Sequence, residues 1–192
     1  MNKNTKRYRL VNKYGMKEII IFCNGACEGN PGAGGWAAII IDGEGWLTVE
    51  GGDPLTTNNR MELQAVVSAL GALREPSKVR LITDSVDVRD VMSKWKAQGW
   101  RTTAGTRVKN EDLWKQLHAQ AAKHQIICER VKAHADQNPC ERFCLDAIVA
   151  DINDVCDALA KHEIQKIRNE NDRYDLVVIL EQFKKRHEIA IK

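Results

Sequence analysis

The sequence has no long apolar run, and its mean hydropathy is −0.42. No stretch approaches the ~18 consecutive apolar residues that a membrane-spanning helix needs. The N-terminal residues 1–16 are basic, but neither an apolar stretch nor a small-residue cleavage site follows them. We therefore expect a cytoplasmic protein with no membrane contact, in which residues 1–16 form a flexible basic arm.

A large excess of one charge is also missing. The formal net charge is +3, so the chain as a whole does not require a nucleic-acid partner, and any polyanion site must come from local clustering. Internal repeats and low-complexity tracts are absent as well. The chain has 192 residues, which is long enough for one well-filled core, and a single domain is the simplest expectation.

Cysteine is present, but without a pairing or metal-binding pattern. The chain is too large to need disulfide cross-links, so we expect reduced thiols. Cys140, Cys144 and His134 could in principle hold zinc, yet no second ligand pair at zinc-finger spacing accompanies them. A zinc site is therefore disfavoured. The six cysteines are Cys23, Cys27, Cys128, Cys140, Cys144 and Cys156.

Strand patterns come first along the chain, and helices and strands alternate afterwards. The β-branched run 18–23 ends at Asn24-Gly25 and predicts a central strand that is buried on both faces. The predicted strands are 18–23, 36–41, 46–50, 78–83 and 125–131, and the predicted helices are 59–74, one that Ser85 could cap, 111–124 and 140–164. This order indicates an α/β fold, a mixed five-stranded sheet with helices on its faces.

Four acidic or amide side chains fall where these elements are expected to converge. Asn24 and Asp84 each end a strand, Glu62 lies one turn into the first helix, and Asp157 lies on the last helix. Carboxylates at the strand ends of an open α/β sheet face its ligand-binding crevice. Their oxygens favour Mg²⁺ or Mn²⁺, and two such ions can support phosphodiester hydrolysis. Taken singly, each residue could equally be a solvated cap or surface charge.

Short motifs surround all four positions. They read CNGACEGNPG at 23–32, TTNNRMEL at 56–63, TDS at 83–85, VKAHA at 131–135 and NDVCDALA at 153–160. From residue 18 to about residue 163, the sequence resembles the type 1 ribonuclease H family on these motifs. The resemblance implies a ribonuclease H-like fold with helices on both faces of the sheet and a domain at 17–163. Outside the resemblance, we expect residues 164–192 to form a helical C-terminal extension.

The same resemblance implies an endonuclease that hydrolyses the RNA strand of RNA/DNA hybrids with two Mg²⁺ ions, or with Mn²⁺. His134 would move protons or help the product leave, unless it is an ordinary exposed loop histidine. His134 and Asp157 are farther apart than is usual in the family, so Asp146 is an alternative fourth carboxylate, although the residues around Asp157 match better. The implied metal ligands are Asn24, Glu62, Asp84 and Asp157, and His134 joins them in the implied catalytic set.

Asn24 departs from the family, which has aspartate there. The amide keeps the shape, but it removes the negative charge and places an NH₂ donor where a cation needs oxygen lone pairs. We expect metal binding to weaken and cleavage to be largely lost. Because Asp-to-Asn is a near-isosteric change suited to trapping an uncleaved substrate, we interpret the chain as an inactivated variant of an active enzyme. The alternative is a natural module that binds hybrids without cutting them, whereas the TTNNRMEL motif disfavours an integrase or resolvase.

A cation-rich segment with interleaved tryptophans lies between two predicted helices. Its cations would follow phosphates, and its indoles would meet sugars or bases unless they pack beneath a solvated loop. The resemblance also implies a reader of RNA 2′-hydroxyls and a holder of a DNA phosphate, with helix capping as a further role of Thr57 and Ser85. The predicted nucleic-acid-binding residues are Cys27, Gly29, Asn30, Thr57, Asn58, Asn59, Ser85, Lys94, Trp95, Lys96, Trp100 and Arg101.

The assembly state is expected to be a monomer. The C-terminal extension carries an apolar run at 174–180 and the basic triplet 184–186. This composition fits either a terminal helix docked on the core or a surface for a protein partner.

Overall fold

A central mixed sheet organises the protein in the computed structural model, which describes residues 18–42, 45–83, 94–130 and 145–168. Its strands are β1 (Glu18–Cys27), β2 (Gly32–Ile41), β3 (Trp46–Thr56), β4 (Lys78–Thr83) and β5 (Gln125–Arg130). Their order is β3-β2-β1-β4-β5. β1, β2 and β3 are antiparallel neighbours, whereas β4 runs parallel to β1 and β5. The predicted mixed five-stranded sheet with a central first strand is thus confirmed.

Helices cover both faces of this sheet. The long helices within the described residues are α1 (Asn58–Gly71), α2 (Glu111–Ala121) and α3 (Leu145–Arg168). Side chains of α1 and α2 share one apolar core with one face of the sheet, and side chains of α3 form a second core with the other face. Of the helix predicted after Ser85, only a turn at 94–97 falls within the described residues.

β1 contributes to both cores because successive side chains of a strand point to opposite faces. Ile19, Ile21 and Cys23 belong to the core under α1 and α2, whereas Phe22 belongs to the core under α3. All four side chains are less than 9% exposed. This two-sided burial explains why the run at the start of the chain is continuously apolar.

The first strand is longer than its sequence predicts. The prediction ended it at Asn24-Gly25, but pairing with β2 continues through Asn24↔Ala37 to Cys27↔Gly34. β3 likewise runs past the predicted end at Glu50. The ladder with β2 therefore overrides the turn propensity of the Asn-Gly pair, because tertiary pairing outweighs local preference in strands.

Helix α3 lies close to β2. A Cβ on Gly35 would lie 2.0 Å from the carbonyl oxygen of Ala160, so only glycine allows this approach. The helix continues to Arg168, so the predicted domain boundary at 163/164 falls inside it. Ile164 is 2% exposed and Arg168 pairs with Glu28 at 2.5 Å, which shows that these residues pack with the sheet.

The described cysteines are free thiols, as predicted for Cys23, Cys27, Cys128 and Cys156. Burial raises the pKa of the Cys23 thiol, with a further contribution from Cys156. Cys140 and Cys144 lie outside the described residues. Among the described helices, none combines the length and the apolar character needed to cross a membrane.

Candidate active site

β1 and α1 meet at the predicted site. A Cβ on Gly25 would lie 2.3 Å from the backbone nitrogen of Glu62 and 2.6 Å from the carbonyl carbon of Met61. Only glycine leaves room for this contact. The second turn of α1 therefore lies directly against the end of β1, and Asn24 and Glu62 are at the same end of the sheet.

Asn24 is nearly buried, with 7% of its surface exposed. It shares a strand face with Phe22, which packs under α3, whereas Gly25 faces α1. Its Oδ1 atom accepts a 2.8 Å hydrogen bond from the backbone N–H of Gly25. An aspartate could accept the same bond and would add a negative charge. Asparagine at this position thus preserves the local hydrogen bonding and removes the charge.

Glu62 is oriented by a neighbour on its own helix. The side-chain Nδ2 of Asn58 donates a 2.7 Å hydrogen bond to Oε1 of Glu62. The backbone N–H of Asn58 donates to Oδ1 of Asn30 at 3.3 Å, which connects the β1–β2 turn to the start of α1. Three predicted residues from two separate motifs are therefore joined in one chain of hydrogen bonds.

Asp157 is placed by the cysteine that precedes it. The buried thiol of Cys156 donates to the carbonyl oxygens of Ala37 at 3.2 Å and Phe22 at 3.7 Å. Ala37 is also the cross-strand partner of Asn24. This turn of α3 is therefore held against β1 and β2 beside Asn24, and it brings Asp157 to the same end of the sheet as Glu62.

The Asp157 side chain is 35% exposed and pairs with Lys161 at 2.6 Å. Asp146, the alternative fourth carboxylate, lies three helical turns earlier on α3, about 16 Å along the helix axis at 1.5 Å per residue. Nothing beyond its place in the helix is described. The choice of Asp157 over Asp146 stays a prediction.

The turn between β1 and β2 presents the remaining predicted groove-reading residues. Gly29 has a φ of +80° and is exposed, as is Asn59 at the start of α1. The Cys27 thiol donates to the carbonyl oxygens of Thr56 at 3.4 Å and Gly32 at 3.6 Å, which ties together the ends of three strands. Cys27 is half-buried, so its backbone and thiol support the turn.

Thr57 occupies the N-cap position of α1, but its side chain makes no capping hydrogen bond. Its backbone carbonyl instead accepts bonds from Arg60 and Met61. The capping role predicted for the Thr57 hydroxyl is therefore wrong. Its predicted phosphate contact stays a prediction.

The basic segment, residues 94–109, is a folded loop before α2. Backbone bonds close it: the Trp100 N–H donates to Trp95 at 2.8 Å, and the Val108 N–H donates to Trp100 at 3.1 Å. Val108 is 4% exposed and fixes the segment to the core. The cations face solvent, and these are Lys94, Lys96, Arg101, Arg107 and Lys109.

The tryptophans of this segment pack inward. Trp95 meets Trp114 edge to face, with ring centroids 4.7 Å apart, and Trp100 lies 6.2 Å from His118. Both Trp95 and Trp100 are partly buried against the core under α1 and α2. This packing matches the alternative in which the indoles support a solvated basic loop, and it leaves less of each ring available to a nucleic acid.

Three predicted site residues lie outside the described residues, namely Asp84, Ser85 and His134. β4 ends at Thr83, one residue before Asp84, and its parallel register with β1 pairs Phe22 with Ile82. The predicted roles of these three residues stay predictions.

Two ion pairs at this end of the molecule were not predicted from the sequence. Lys161 is four residues after Asp157, and that helical spacing could have revealed the pair. Arg60 lies inside the TTNNRMEL motif and forms a two-bond pair with Asp112, 52 residues away. No local pattern points to a partner so distant in sequence.

Comparisons with known proteins show which family this sequence belongs to. The family model described as RNase H matches residues 16–165. The chain belongs to the ribonuclease H family. Ribonuclease H of Thiobacillus denitrificans is 47% identical over 128 residues, which are 65% of this chain and 86% of that protein. Ribonuclease H of Chlorobium luteolum is 41% identical over 155 residues, 78% of this chain and 97% of that one.

Solved structures support the same fold. The crystal structure of LC9-RNase H1, a type 1 RNase H, superposes with a TM-score of 0.64 at 19% identity, covering 92% of this chain and 87% of that one. LC11-RNase H1 in complex with an RNA/DNA hybrid gives a TM-score of 0.53 at 19% identity, covering 77% of this chain and 97% of that one. Ribonucleases H are nucleases that use divalent metal ions.

Proposed function

We propose that this chain binds RNA/DNA hybrids at the end of the sheet that holds Asn24, Glu62 and Asp157. Its relatives' activity implies hydrolysis of the RNA strand with two Mg²⁺ ions, for which Mn²⁺ could substitute. In this chain, Asn24 strongly reduces that hydrolysis. The main support is the double contact of β1, with Glu62 through Gly25 on one face and with Cys156 on the other.

The donor atoms at this place suit a hard divalent cation. Asn24 offers an amide oxygen, and Glu62 and Asp157 offer carboxylates, all of which are oxygen ligands. The described residues contain no group of three or more His, Cys, Asp or Glu side chains that could hold a metal. Only two of the four proposed ligands, Glu62 and Asp157, are described acids, so such a group is not expected without Asp84. Bound Mg²⁺ would supply an activated water and neutralise charge on the leaving oxygen.

The chain's own residues would hold the substrate and the ligands in place. Asn58 orients Glu62 through its 2.7 Å bond, and Lys161 holds Asp157 when no cation is near. Asn24 keeps its bond to Gly25 but contributes no charge. We propose that the lost charge is the reason for weak metal binding, because two closely spaced dications need several anionic ligands.

Recognition of the hybrid would involve the turn at 27–30, the start of α1 and the basic segment. Asn58 is already bonded to both Asn30 and Glu62, so Asn30 and Asn58 could meet minor-groove hydroxyls next to the cleaved phosphate. The exposed cations of the basic segment would follow the phosphates farther along. We retain the proposals that His134 moves protons, that Thr57 and Ser85 hold a DNA phosphate, and that the protein acts as a cytoplasmic monomer.

Restoring the charge at position 24 tests this proposal. We expect Asn24→Asp to raise Mg²⁺-dependent hydrolysis of an end-labelled RNA/DNA hybrid by about 100-fold or more, because removal of groups that merely support a metal ligand costs about 10–100-fold. Asn24→Ala is the matched control and should stay inactive. Adding Glu62→Gln to Asn24→Asp should abolish the restored activity.

The alternative is a hybrid-binding module that does not cut. It is favoured by the burial of Asn24 and its satisfied bond to Gly25, since the chain folds well around the amide. In that case Asn24→Asp would bind hybrid and still not hydrolyse it at any Mg²⁺ concentration. That outcome would overturn the enzyme proposal and leave the binding proposal standing.

A further inference from the structure

Arg60 is the only charged residue before Glu62 in the TTNNRMEL motif, and the proposed chemistry does not use it. Its guanidinium forms two bonds with Asp112, Nη1 to Oδ1 at 3.0 Å and Nη2 to Oδ2 at 2.6 Å. Arg60 lies in the first turn of α1, two residues before Glu62, and Asp112 lies in the first turn of α2. The pair therefore joins the helix that carries Glu62 to the helix that begins directly after the basic segment.

Both partners are charged at neutral pH. The bond to Asp112 raises the pKa of Arg60, and the bond to Arg60 lowers the pKa of Asp112. The two side chains are 33% and 51% exposed. An exposed pair contributes little to folding free energy because water and salt screen it. Its two parallel bonds nevertheless fix the relative orientation of the groups.

Several side-chain contacts tie the basic segment to α2. Trp95 and Trp100 rest on the core through Trp114 and His118, which belong to α2. Arg107 pairs with Glu111, again on α2. The segment thus forms one unit with the start of α2, and the Arg60–Asp112 pair is a direct polar link between that unit and the start of α1.

We propose that Arg60 and Asp112 are positioning residues that hold the exposed cations of the basic segment in register with Glu62. The inference rests on the proposed hybrid-binding function and adds a specific device to it. A hybrid that lies across Glu62 would then meet Lys94, Lys96 and Arg101 at a fixed distance. Without the link, the shared apolar core would still hold the segment near α1, but the cations would be less well aligned with Glu62 and would contribute less to affinity.

The direction in which one substitution changes the affinity distinguishes the positioning role from a simple effect of net charge. Removing an acidic group next to a nucleic-acid site should raise affinity if only net charge matters, because it also frees Arg60 for phosphates. The positioning role predicts the opposite. Asp112→Asn should lower the affinity for a fluorescein-labelled RNA/DNA hybrid by about threefold to tenfold, which corresponds to roughly 0.7 to 1.4 kcal/mol.

The experiment is a double-mutant cycle in the full chain, with affinity measured by fluorescence anisotropy without Mg²⁺. Lys94→Ala with Lys96→Ala should weaken binding in the parent and have a smaller effect when Asp112→Asn is present. Arg60→Lys keeps the charge but cannot form the fork, so it should behave like Asp112→Asn. The control is Glu129→Gln, which breaks the two-bond pair between Arg80 and Glu129 on β4 and β5 and should change neither affinity nor coupling.

Circular dichroism and thermal unfolding show that each variant is folded before binding is compared. Affinity that is unchanged or higher in folded Asp112→Asn, or additive effects in the cycle, would overturn the positioning role. Full affinity in Arg60→Lys would do the same. If the parent itself binds no hybrid, the proposed function fails and this inference fails with it. If the parent binds hybrid and Asp112→Asn binds it with the same affinity, only this inference is refuted.

Discussion

The two regions proposed to meet a hybrid are held in place by different forces. Around Asn24, the chain is fixed by backbone contact and burial: Gly25 touches the backbone of Glu62, and the Cys156 thiol reaches two strand carbonyls. In the basic segment, the cations lie at the surface and the links to neighbouring elements include exposed ion pairs such as Arg107–Glu111. The residues around Asn24 are closely packed, whereas the cations of the basic segment extend into solvent.

This difference matches what each region would do. Metal ligands must be held within a fraction of an ångström, which buried packing achieves and which salt does not disturb. Phosphate contacts follow a long polyanion and depend on charge, so their strength falls as salt rises. The comparison teaches that close backbone packing is concentrated around Asn24, whereas the cations of the basic segment lie at the surface.

The largest expected effect comes from breaking the buried region at Gly25. Gly25→Ala places a methyl group 2.3 Å from the Glu62 backbone nitrogen, so α1 must move. We expect a loss in unfolding free energy of about 3 kcal/mol, at the upper end for overpacked sites, measured by urea denaturation. Gly45→Ala is the control, because a Cβ there meets nothing within 4 Å. Equal stabilities of the two variants would show that the two elements are not in contact.

A smaller effect is expected from the exposed region. Lys94→Ala with Lys96→Ala should leave stability unchanged and should weaken hybrid binding. The slope of log affinity against log salt should become less steep by about one per cation removed. Lys123→Ala removes one exposed cation beyond the far end of α2 and should change neither quantity. An affinity that does not depend on salt would contradict a phosphate-tracking role for this segment.

The smallest effect lies at the opposite end of the sheet, in neither region. His124 accepts a hydrogen bond from the Ser77 backbone N–H through Nδ1 at 3.2 Å. Burial, and secondarily Lys123, lowers the pKa of His124 in the folded state. Between that lowered pKa and the ordinary value of about 6.5, the unfolded chain binds more protons. Folding stability should therefore fall as pH drops below about 6.5.

Urea unfolding at about pH 5 and about pH 7.5 measures this dependence. His124→Asn is the matched variant, because its amide oxygen can accept the Ser77 bond without titrating. Its stability should change less between the two pH values than that of the parent. A parent and variant with the same pH dependence would exclude His124 as the source.

Much of the fold followed from the sequence, because apolar periodicity decides which residues are buried. The two-sided burial of 18–23 was enough to place the first strand at the centre of the sheet. Element ends were less well predicted: the Asn24-Gly25 pair favours a turn locally, yet β2 pairs with it and extends β1 to Cys27. Pairing with a distant strand is a property that no local window contains.

The candidate site likewise has some residues that the sequence predicts and others that it does not. Asn24, Glu62 and Asp157 could be selected from their motifs, and the structure brings the elements that carry them to one end of the sheet. The Arg60–Asp112 pair could not be selected, since it joins residues from two helices through tertiary packing. The sequence allowed the inward packing of Trp95 only as an alternative, because it does not show whether an indole in a loop points to the core or to solvent.

The way α3 is attached has a consequence for the length of the chain around it. The helix is fixed to the sheet near its middle and towards its C-terminal end, by the Cys156 thiol and by the close approach of Ala160 to Gly35. Turns added at its N-terminal end, before residue 152, would lengthen the helix without moving Asp157. The number of residues between His134 and Asp157 is therefore free to vary while Asp157 keeps its place against the sheet.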